Sequence, residues 1–276
     1  MSRPGTGTGG SQVVRRQLGA KLRALRLKAG KDLNDVVEAG LASKAKISRI
    51  ENGRGLVKIE TVLALAWLYG ADSATANSLA ALAPATQQED WWEPYSSAVV
   101  PDWFGLAVGL LESASRLRSF EPVVVHGLLA TESHARAVIQ SEDTLTPDVV
   151  EQRVRFRLDL QRRVLGNGPA FTVILGAGAL SQVVGSAEIM AEQLDHLRQL
   201  NRDRVATIRV LPWSAGAYPI KSGFDILDFP DLSDPTCVYL EFNTGARYVE
   251  QPAQVAEHEH MFGVLMDRTV SIEEWK

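Results

Sequence analysis

The residues with the clearest chemical pattern lie in the short stretch Ser43–Glu51. On a helix of 3.6 residues per turn, Ile47 and Ile50 share one face, which predicts that this face docks on a protein core. The opposite face carries small or cationic residues and no carboxylate: Lys44, Ala45, Ser48 and Arg49. Such a face presents hydrogen-bond donors and a methyl group, which is the chemistry needed to read the base edges of duplex DNA.

We predict base contacts from all four residues of this polar face. Arg49 suits guanine, to which a guanidinium donates two hydrogen bonds, while Lys44 would donate more loosely and the methyl group of Ala45 suits thymine. Nearby polar residues are better placed for phosphates, which position a protein without specifying a sequence. These are Ser43, Lys46, Arg54 and Lys58. The alternative interpretation is a basic helical bundle that binds another protein.

Five short helices between residues 13 and 83 are predicted to position this stretch. Ser43 is a good N-cap for the third helix, and Gly53 follows its end, where a left-handed conformation is usual. Asp32 is a similar cap for the second helix. The pattern therefore predicts a compact all-α unit with short loops.

The chain divides into four predicted parts: a flexible tail (1–12), the helical unit (13–83), a linker (84–90) and a larger domain (91–276). The first 83 residues contain 13 Lys and Arg but 6 Asp and Glu, a net charge of +7, whereas the remainder carries −11. Basic charge gathered on a small unit suits a polyanionic partner.

Composition favours a folded protein, which we expect to be cytoplasmic, nucleoid-associated through DNA and without a membrane partner. No apolar run reaches the roughly 20 residues of a membrane helix, and Met1–Gln12 lacks the apolar stretch expected of a signal peptide. The single cysteine, Cys237, excludes an internal disulfide.

The larger domain mixes helical and strand-like patterns. Helices are predicted at 102–119, 131–141, 147–165, 187–202 and 252–268. Strands are predicted at Pro122–His126, Ala170–Leu175, Thr207–Leu211, Phe224–Phe229, Val238–Phe242 and Arg247–Glu250. This distribution predicts an α+β domain with a mixed or antiparallel sheet.

The string Ile47-Ser-Arg-Ile-Glu-Asn-Gly53, preceded by Leu33-Asn-Asp-Val-Val-Glu-Ala-Gly-Leu-Ala-Ser43, resembles the XRE (Cro/repressor-like) helix-turn-helix family. The resemblance implies a DNA-binding fold in which Arg26 and Glu51 form a buried ion pair between the first and third helices. Such a pair would orient the recognition helix more than stabilise it.

The turn between the second and third helices departs from that family. Leu41 occupies the position where the family usually has Gly, and Gly40 comes one place earlier. Val37 also stands where a small Ala is usual. We expect a slightly remodelled turn.

The larger domain resembles the C-terminal domain of actinobacterial, WhiJ-like regulators of the antitoxin type. The resemblance is carried by Trp91-Trp-Glu-Pro-Tyr95, Trp103-Phe104, Phe120-Glu-Pro-Val-Val-Val-His-Gly-Leu-Leu-Ala-Thr-Glu132, Val210-Leu-Pro-Trp-Ser-Ala-Gly-Ala-Tyr-Pro219 and Tyr239-Leu-Glu-Phe-Asn-Thr-Gly-Ala-Arg-Tyr248. It implies a small protein partner, typically encoded nearby, that binds the regulator and relieves its effect on DNA.

Aromatic residues of the larger domain are candidates for a partner or ligand surface, because aromatic clusters anchor interfaces. The candidates are Trp91, Trp92, Tyr95, Trp103, Trp213 and Tyr218. Aromatic clusters also fill cores and domain junctions, which is the commoner use.

Signals for an enzyme or a cofactor are weak, and we predict no catalytic residues, no cofactor and no metal. His258 and His260 are two apart on a predicted helix and point in different directions. His126, His134 and His196 show no ligand spacing. Gly176-Ala-Gly178 lacks the third glycine of a dinucleotide motif.

Together these features predict a sequence-specific, antitoxin-like transcriptional regulator, a repressor that binds a palindromic operator in double-stranded DNA as a homodimer. Half-sites would lie about 10 bp apart. The larger domain would supply dimerisation and bind the protein partner. Two alternatives remain: a small-molecule-responsive repressor with that domain as sensor, and an enzyme with a DNA-tethering domain.

Overall fold

The computed structural model describes residues 11–218, 220, 222–231 and 234–276. The helices are α1 (Ser11–Lys28), α2 (Leu33–Glu38), α3 (Lys44–Glu51), α4 (Ile59–Leu68), α5 (Ser73–Ala80), α6 (Gly105–Ser113), α7 (Glu132–Gln140), α8 (Pro147–Gly166), α9 (Ala177–Ser181), α10 (Ala187–Arg202) and α11 (Pro252–Met266). The strands are β1 (Arg116–Glu121), β2 (Ala170–Gly176), β3 (Thr207–Leu211), β4 (Phe224–Asp228), β5 (Cys237–Phe242), β6 (Gly245–Val249) and β7 (Val270–Ser271).

The described chain forms two compact units, as the fold class predicted. The first is an all-α unit of residues 11–94, joined by Val108–Ser113 of α6. The second is a larger α+β unit of Tyr95–Ala107 and Ala114–Lys276. The prediction of five helices followed by an α+β domain with a mixed sheet is therefore confirmed.

The core of the first unit is built from one apolar face of each of its five helices. Leu18 and Leu22 of α1, Ile47 of α3 and Leu65 of α4 are all 1% exposed or less. Leu18 and Leu22 are four residues apart on α1, as a face that packs on a core requires. This core fixes the position of α3.

The sheet of the second unit has the strand order β6-β5-β4-β1-β2-β3-β7 within the described residues. Strands β1, β2 and β3 run parallel, and the remaining pairs are antiparallel. One face packs on α11 through a cluster that includes Phe120, Ile174 and Phe262. The opposite face carries Ser119 opposite Asp225, and Asp225 opposite Tyr239.

Two predicted elements at the start of the larger domain are wrong. The predicted helix 102–119 ends at Ser113, and β1 occupies Arg116–Glu121, so the predicted strand Pro122–His126 is a loop. The pattern was ambiguous because β1 has strands on both sides and buries residues on both of its faces, so it lacks a period of two. The short elements α9 and β7 were not predicted.

The predicted tail and linker fall partly within ordered structure. Residues 1–10 lie outside the described residues, and Ser11 already begins α1. The segment 84–90 contains a short 3-10 helix, Pro84–Gln87, and the carboxylate of Asp90 accepts hydrogen bonds from Ser11 N at 2.6 Å and Ser11 Oγ at 2.8 Å. None of the described helices combines the length and apolar character needed to cross a bilayer.

Candidate nucleic-acid interface

Helix α3 is fixed at its start by a cap and along its length by two isoleucines. Ser43 has extended backbone angles, and its Oγ accepts a hydrogen bond from Lys46 N at 3.2 Å. This satisfies one of the amides left free at a helix start. Ile47 and Ile50 are 0% and 2% exposed. The inward face is therefore anchored, and the outward face is free for a ligand.

The turn before α3 is made by Gly40, which has a φ of +70°. Gly40 N donates to Val37 O at 2.9 Å and Leu41 N donates to Val36 O at 3.2 Å, the paired bonds of a Schellman ending. Leu41 packs partly buried against the core. The glycine one place earlier than the family usually has it is thus accommodated, because Gly40 follows the C-cap Ala39 of α2 and takes the left-handed conformation there.

Arg26 and Glu51 meet in a buried, doubly hydrogen-bonded pair. Arg26 Nε donates to Glu51 Oε1 and Nη2 donates to Oε2, both at 2.7 Å. Arg26 Nη1 also donates to Lys31 O at 2.9 Å. The hydrogen bond to Glu51 raises the pKa of Arg26 above its ordinary value, so the cation is secure. The pair ties the end of α3 to α1.

Gly19 permits α1 and the end of α3 to approach each other closely. A Cβ atom added at Gly19 would lie 2.3 Å from Ile50 O and 3.0 Å from the carbonyl of Glu51. Only a residue without a side chain tolerates that approach. Together with the ion pair, this contact fixes the orientation of α3 relative to α1.

The outward face of α3 and its surroundings form a cationic surface. Lys44, Ala45 and Arg49 are exposed, and Ser48 is half-buried. Asn52 Nδ2 donates to Ser48 O at 2.7 Å and lies 3.4 Å from Ser48 Oγ. The predicted phosphate-contacting residues are exposed as well: Ser43, Lys46, Arg54 and Lys58.

The cationic side chains of this surface form no ion pairs among the described residues. This holds for all five: Lys44, Lys46, Arg49, Arg54 and Lys58. Lys44 has only a longer-range attraction to Asp32, so the five cations near one capped helix create a positive potential that attracts a polyanion.

Most of the predicted aromatic surface is partly or wholly covered. Trp92 is 4% exposed, with Trp91 edge-on to it at 5.7 Å and Trp91 Nε1 donating to Glu112 Oε1 at 3.0 Å. Tyr95 packs edge-on to Phe156 at 5.4 Å. These contacts are those of core and packing residues.

The remaining aromatic candidates divide similarly. Trp103 is half-buried with its ring edge-on to Phe104 at 5.8 Å, and Tyr218 packs edge-on to Phe120 at 5.6 Å. Trp213 alone among the six candidates presents most of its ring to solvent, at 72% exposed.

A buried polar cluster in the second unit was missed by sequence reasoning. One potential ligand atom from each of Glu121, His126 and Asp225 lies within 4.8 Å of the other two. His126 and Asp225 are each 6% exposed. Burial raises the pKa of Glu121 to about 8. The signal was hidden because Asp225 reaches the other two residues only through the antiparallel pairing of β1 with β4.

Comparison with known proteins agrees with this architecture. Residues 17–79 match the family described as "Helix-turn-helix domain", and residues 104–274 match the family described as "Domain of unknown function (DUF5753)". No curated protein and no solved structure matches the chain.

The helix-turn-helix domain points to a DNA-binding regulator, a class that is typically non-enzymatic. The match to the C-terminal family spans more than half of the chain. The chain therefore belongs to the DUF5753 family, whose domain has no known function.

Proposed function

We propose that this protein is a sequence-specific transcriptional regulator that inserts α3 into the major groove of DNA. The observation that carries the proposal is the division of α3 into a buried apolar face and an exposed cationic face, whose side chains form no ion pair with any described residue. Recognition helices of helix-turn-helix proteins contact base edges in this manner. A protein-binding bundle would need no such excess of unpaired cations.

The roles of the individual side chains follow from their positions. Arg49 and Lys44 donate to base edges, and Ala45 offers its methyl group to thymine. Ser48 keeps a base-contacting role at the edge of the exposed face, with its hydroxyl shared with Asn52. The phosphate contacts come from Ser43, Lys46, Arg54 and Lys58.

We further propose that the regulator acts as a repressor, bound as a homodimer to a palindromic operator in double-stranded DNA. A two-fold symmetric dimer presents two copies of α3 to half-sites about 10 bp apart. The resemblance of the larger domain to WhiJ-like regulators supports an antitoxin-like role in an actinobacterial cell. A small protein encoded nearby would then bind the larger domain and relieve repression.

Selection of random duplex DNA by the purified full-length chain, followed by sequencing, tests the central proposal. We expect an enriched motif with two-fold symmetry, and an affinity that falls steeply as salt rises because phosphate contacts release counterions. A chain that fails to retain duplex DNA at low salt would contradict the proposal.

A small-molecule sensor remains the second candidate for the larger domain, and the buried polar cluster favours it. Ser119 Oγ and Asp225 Oδ1 are buried without a hydrogen-bond partner among the described residues. Buried polar atoms are rarely left unpaired unless something else completes them. Calorimetric titration with the product of the neighbouring reading frame and with a metabolite panel distinguishes a protein effector from a small one.

A further inference from the structure

We propose that Glu121, His126 and Asp225 form a binding site for one divalent transition-metal ion in the C-terminal unit. Carboxylate oxygen and imidazole nitrogen are the donors that zinc and manganese ions take. The three donor atoms lie within 4.8 Å of one another. With metal–ligand bonds of about 2.0–2.2 Å, the ligand atoms of a tetrahedral site lie about 3.4 Å apart, so these donors need to approach one another by at most about 1.4 Å.

The fold brings the donors together from three separate segments. Glu121 ends β1, His126 lies in the following loop, and Asp225 lies near the start of β4, which pairs antiparallel with β1. Gly223 leaves room for the carboxyl group of Glu121, since a Cβ atom at position 223 would lie 3.0 Å from Glu121 Oε2. The donors therefore sit on rigid strand ends and one adjustable loop.

Asp225 supplies the independent sign that a ligand completes this cluster. Its side chain is buried, and Oδ1 has no hydrogen-bond partner among the described residues. That oxygen lies 3.5 Å from His126 Nε2, so it points into the cluster. Ser119, directly opposite Asp225 in the sheet, also has a hydroxyl without a hydrogen-bond partner in the described part of the chain. His126 Nε2 faces Oδ1 of Asp225, but at 3.5 Å it satisfies the buried carboxylate only poorly, and a bound cation removes the remaining cost.

The charge of the metal-binding form of the donor set matches a dication. With the ion bound, Glu121 and Asp225 as carboxylates and His126 as a neutral imidazole would together carry −2, and Glu121, whose pKa is raised by burial in the empty site, would release its proton on binding. Arg157 stands nearby, with its guanidinium so close to Gly127 that a Cβ there would lie 2.0 Å from Nη1. No ion-pair contact of Arg157 is found among the described residues, but its charge acts on Glu121 and Glu241 through space. Arg157 therefore offsets part of the negative charge without a direct ion pair to the carboxylates.

The hydrogen bond of His126 predicts what must change when the ion binds. His126 Nδ1 accepts from Leu128 N at 3.1 Å, so the neutral ring carries its proton on Nε2, towards Asp225. Coordination through Nε2 moves that proton to Nδ1 and releases the amide of Leu128. Helix α8 holds the rest of the loop, because Gln161 Nε2 donates to Gly127 O at 2.8 Å and Ala130 O at 2.9 Å.

Calorimetric titration of the chelator-treated full-length chain with Zn²⁺ tests the site. We expect one ion per chain, with Zn²⁺ preferred over Mg²⁺ because Mg²⁺ takes oxygen ligands rather than imidazole. The variants Glu121→Gln, His126→Gln and Asp225→Asn should each bind Zn²⁺ at least about 100-fold more weakly. His260→Gln, an exposed histidine outside the cluster, is the matched control and should bind as the wild type does.

A second readout does not depend on the folding of any variant. In the wild-type chain, Zn²⁺ should shift the amide resonance of Leu128 and the ring nitrogens of His126, while those of His260 stay in place. Absence of binding at micromolar Zn²⁺, tighter binding of Mg²⁺, or unchanged affinity in a folded Asp225→Asn variant would each overturn the proposal. None of these outcomes bears on DNA binding, so the two proposals fail separately.

Discussion

Both carboxylate oxygens of Glu51 accept hydrogen bonds from one guanidinium, that of Arg26, and the two side chains are 4% and 9% exposed. Since the two charges are withdrawn from water, their attraction largely compensates for lost hydration. The main effect of the pair is geometric: it fixes the last turn of α3 relative to α1.

Removing one partner of this pair should be costly. We expect Glu51→Gln to lower the free energy of unfolding by about 3–5 kcal/mol, because it leaves a buried guanidinium without its counter-charge. The double variant Arg26→Met with Glu51→Leu should recover most of that loss. Urea unfolding monitored by circular dichroism measures both. A Glu51→Gln variant as stable as the wild type would refute the importance of the pair.

Gly19→Ala should both destabilise the first unit and misalign α3. The new methyl group would lie 2.3 Å from Ile50 O, so one helix must move. We expect a loss of about 1–3 kcal/mol in unfolding free energy, as for other overpacked sites. DNA binding should weaken as well. Gly263→Ala, in open space on α11, is the control and should be neutral or slightly stabilising.

Arg49→Ala should relax specificity at one base position of each half-site. We expect discrimination at that position to fall by about 1–3 kcal/mol, while the preference elsewhere in the motif persists. Binding to a panel of single-base operator variants measures the change. The assignment of Arg49 fails if the pattern of preferences matches that of the wild type.

Lys46→Ala should weaken binding to all sequences alike. A lost phosphate contact reduces the slope of log affinity against log salt concentration by about 1. Titrations at several salt concentrations, with the operator and with an unrelated duplex, provide the measurement. A change confined to the operator would identify Lys46 as a base contact instead.

Ser43 combines a capping role with a proposed phosphate contact, and two substitutions separate them. Ser43→Ala removes the acceptor for Lys46 N and should cost about 1 kcal/mol of stability. Ser43→Asp keeps a good cap, so stability should persist, but its negative charge should repel phosphate. We expect thermal unfolding to distinguish the first variant and DNA affinity the second. Equal DNA affinity of Ser43→Asp and the wild type would argue against the phosphate contact.

The recognition helix was predictable from sequence because its signals are local. The cap Ser43, the buried pair Ile47 and Ile50, and the terminal Gly53 all lie within one stretch, and α3 begins and ends as they indicate. The helices and most strands of the larger domain were predictable for the same reason. Besides the short elements α9 and β7, the exception is β1, which has strands on both sides and lacks an alternating pattern.

The polar cluster was not predictable because its chemistry depends on pairing between distant strands. His126 was judged by its neighbours in sequence, which offer no ligand spacing. His126 lies close to Asp225 only because the register of β1 and β4 places Ser119 opposite Asp225. That register is a property of the whole sheet, and one sequence does not reveal it.

The contribution of Val108–Ser113 to the first unit determines how this protein should be dissected. Gly109 lies so close to Val13 that an added Cβ would be 2.7 Å from Val13 Cγ2 and 3.6 Å from Trp92 Cη2. A truncation at residue 83 or 94 would remove the segment Val108–Ser113 that covers Val13 and would expose Val13 to water. We expect such a fragment to aggregate, so a truncated variant made for DNA-binding experiments should extend at least through Ser113.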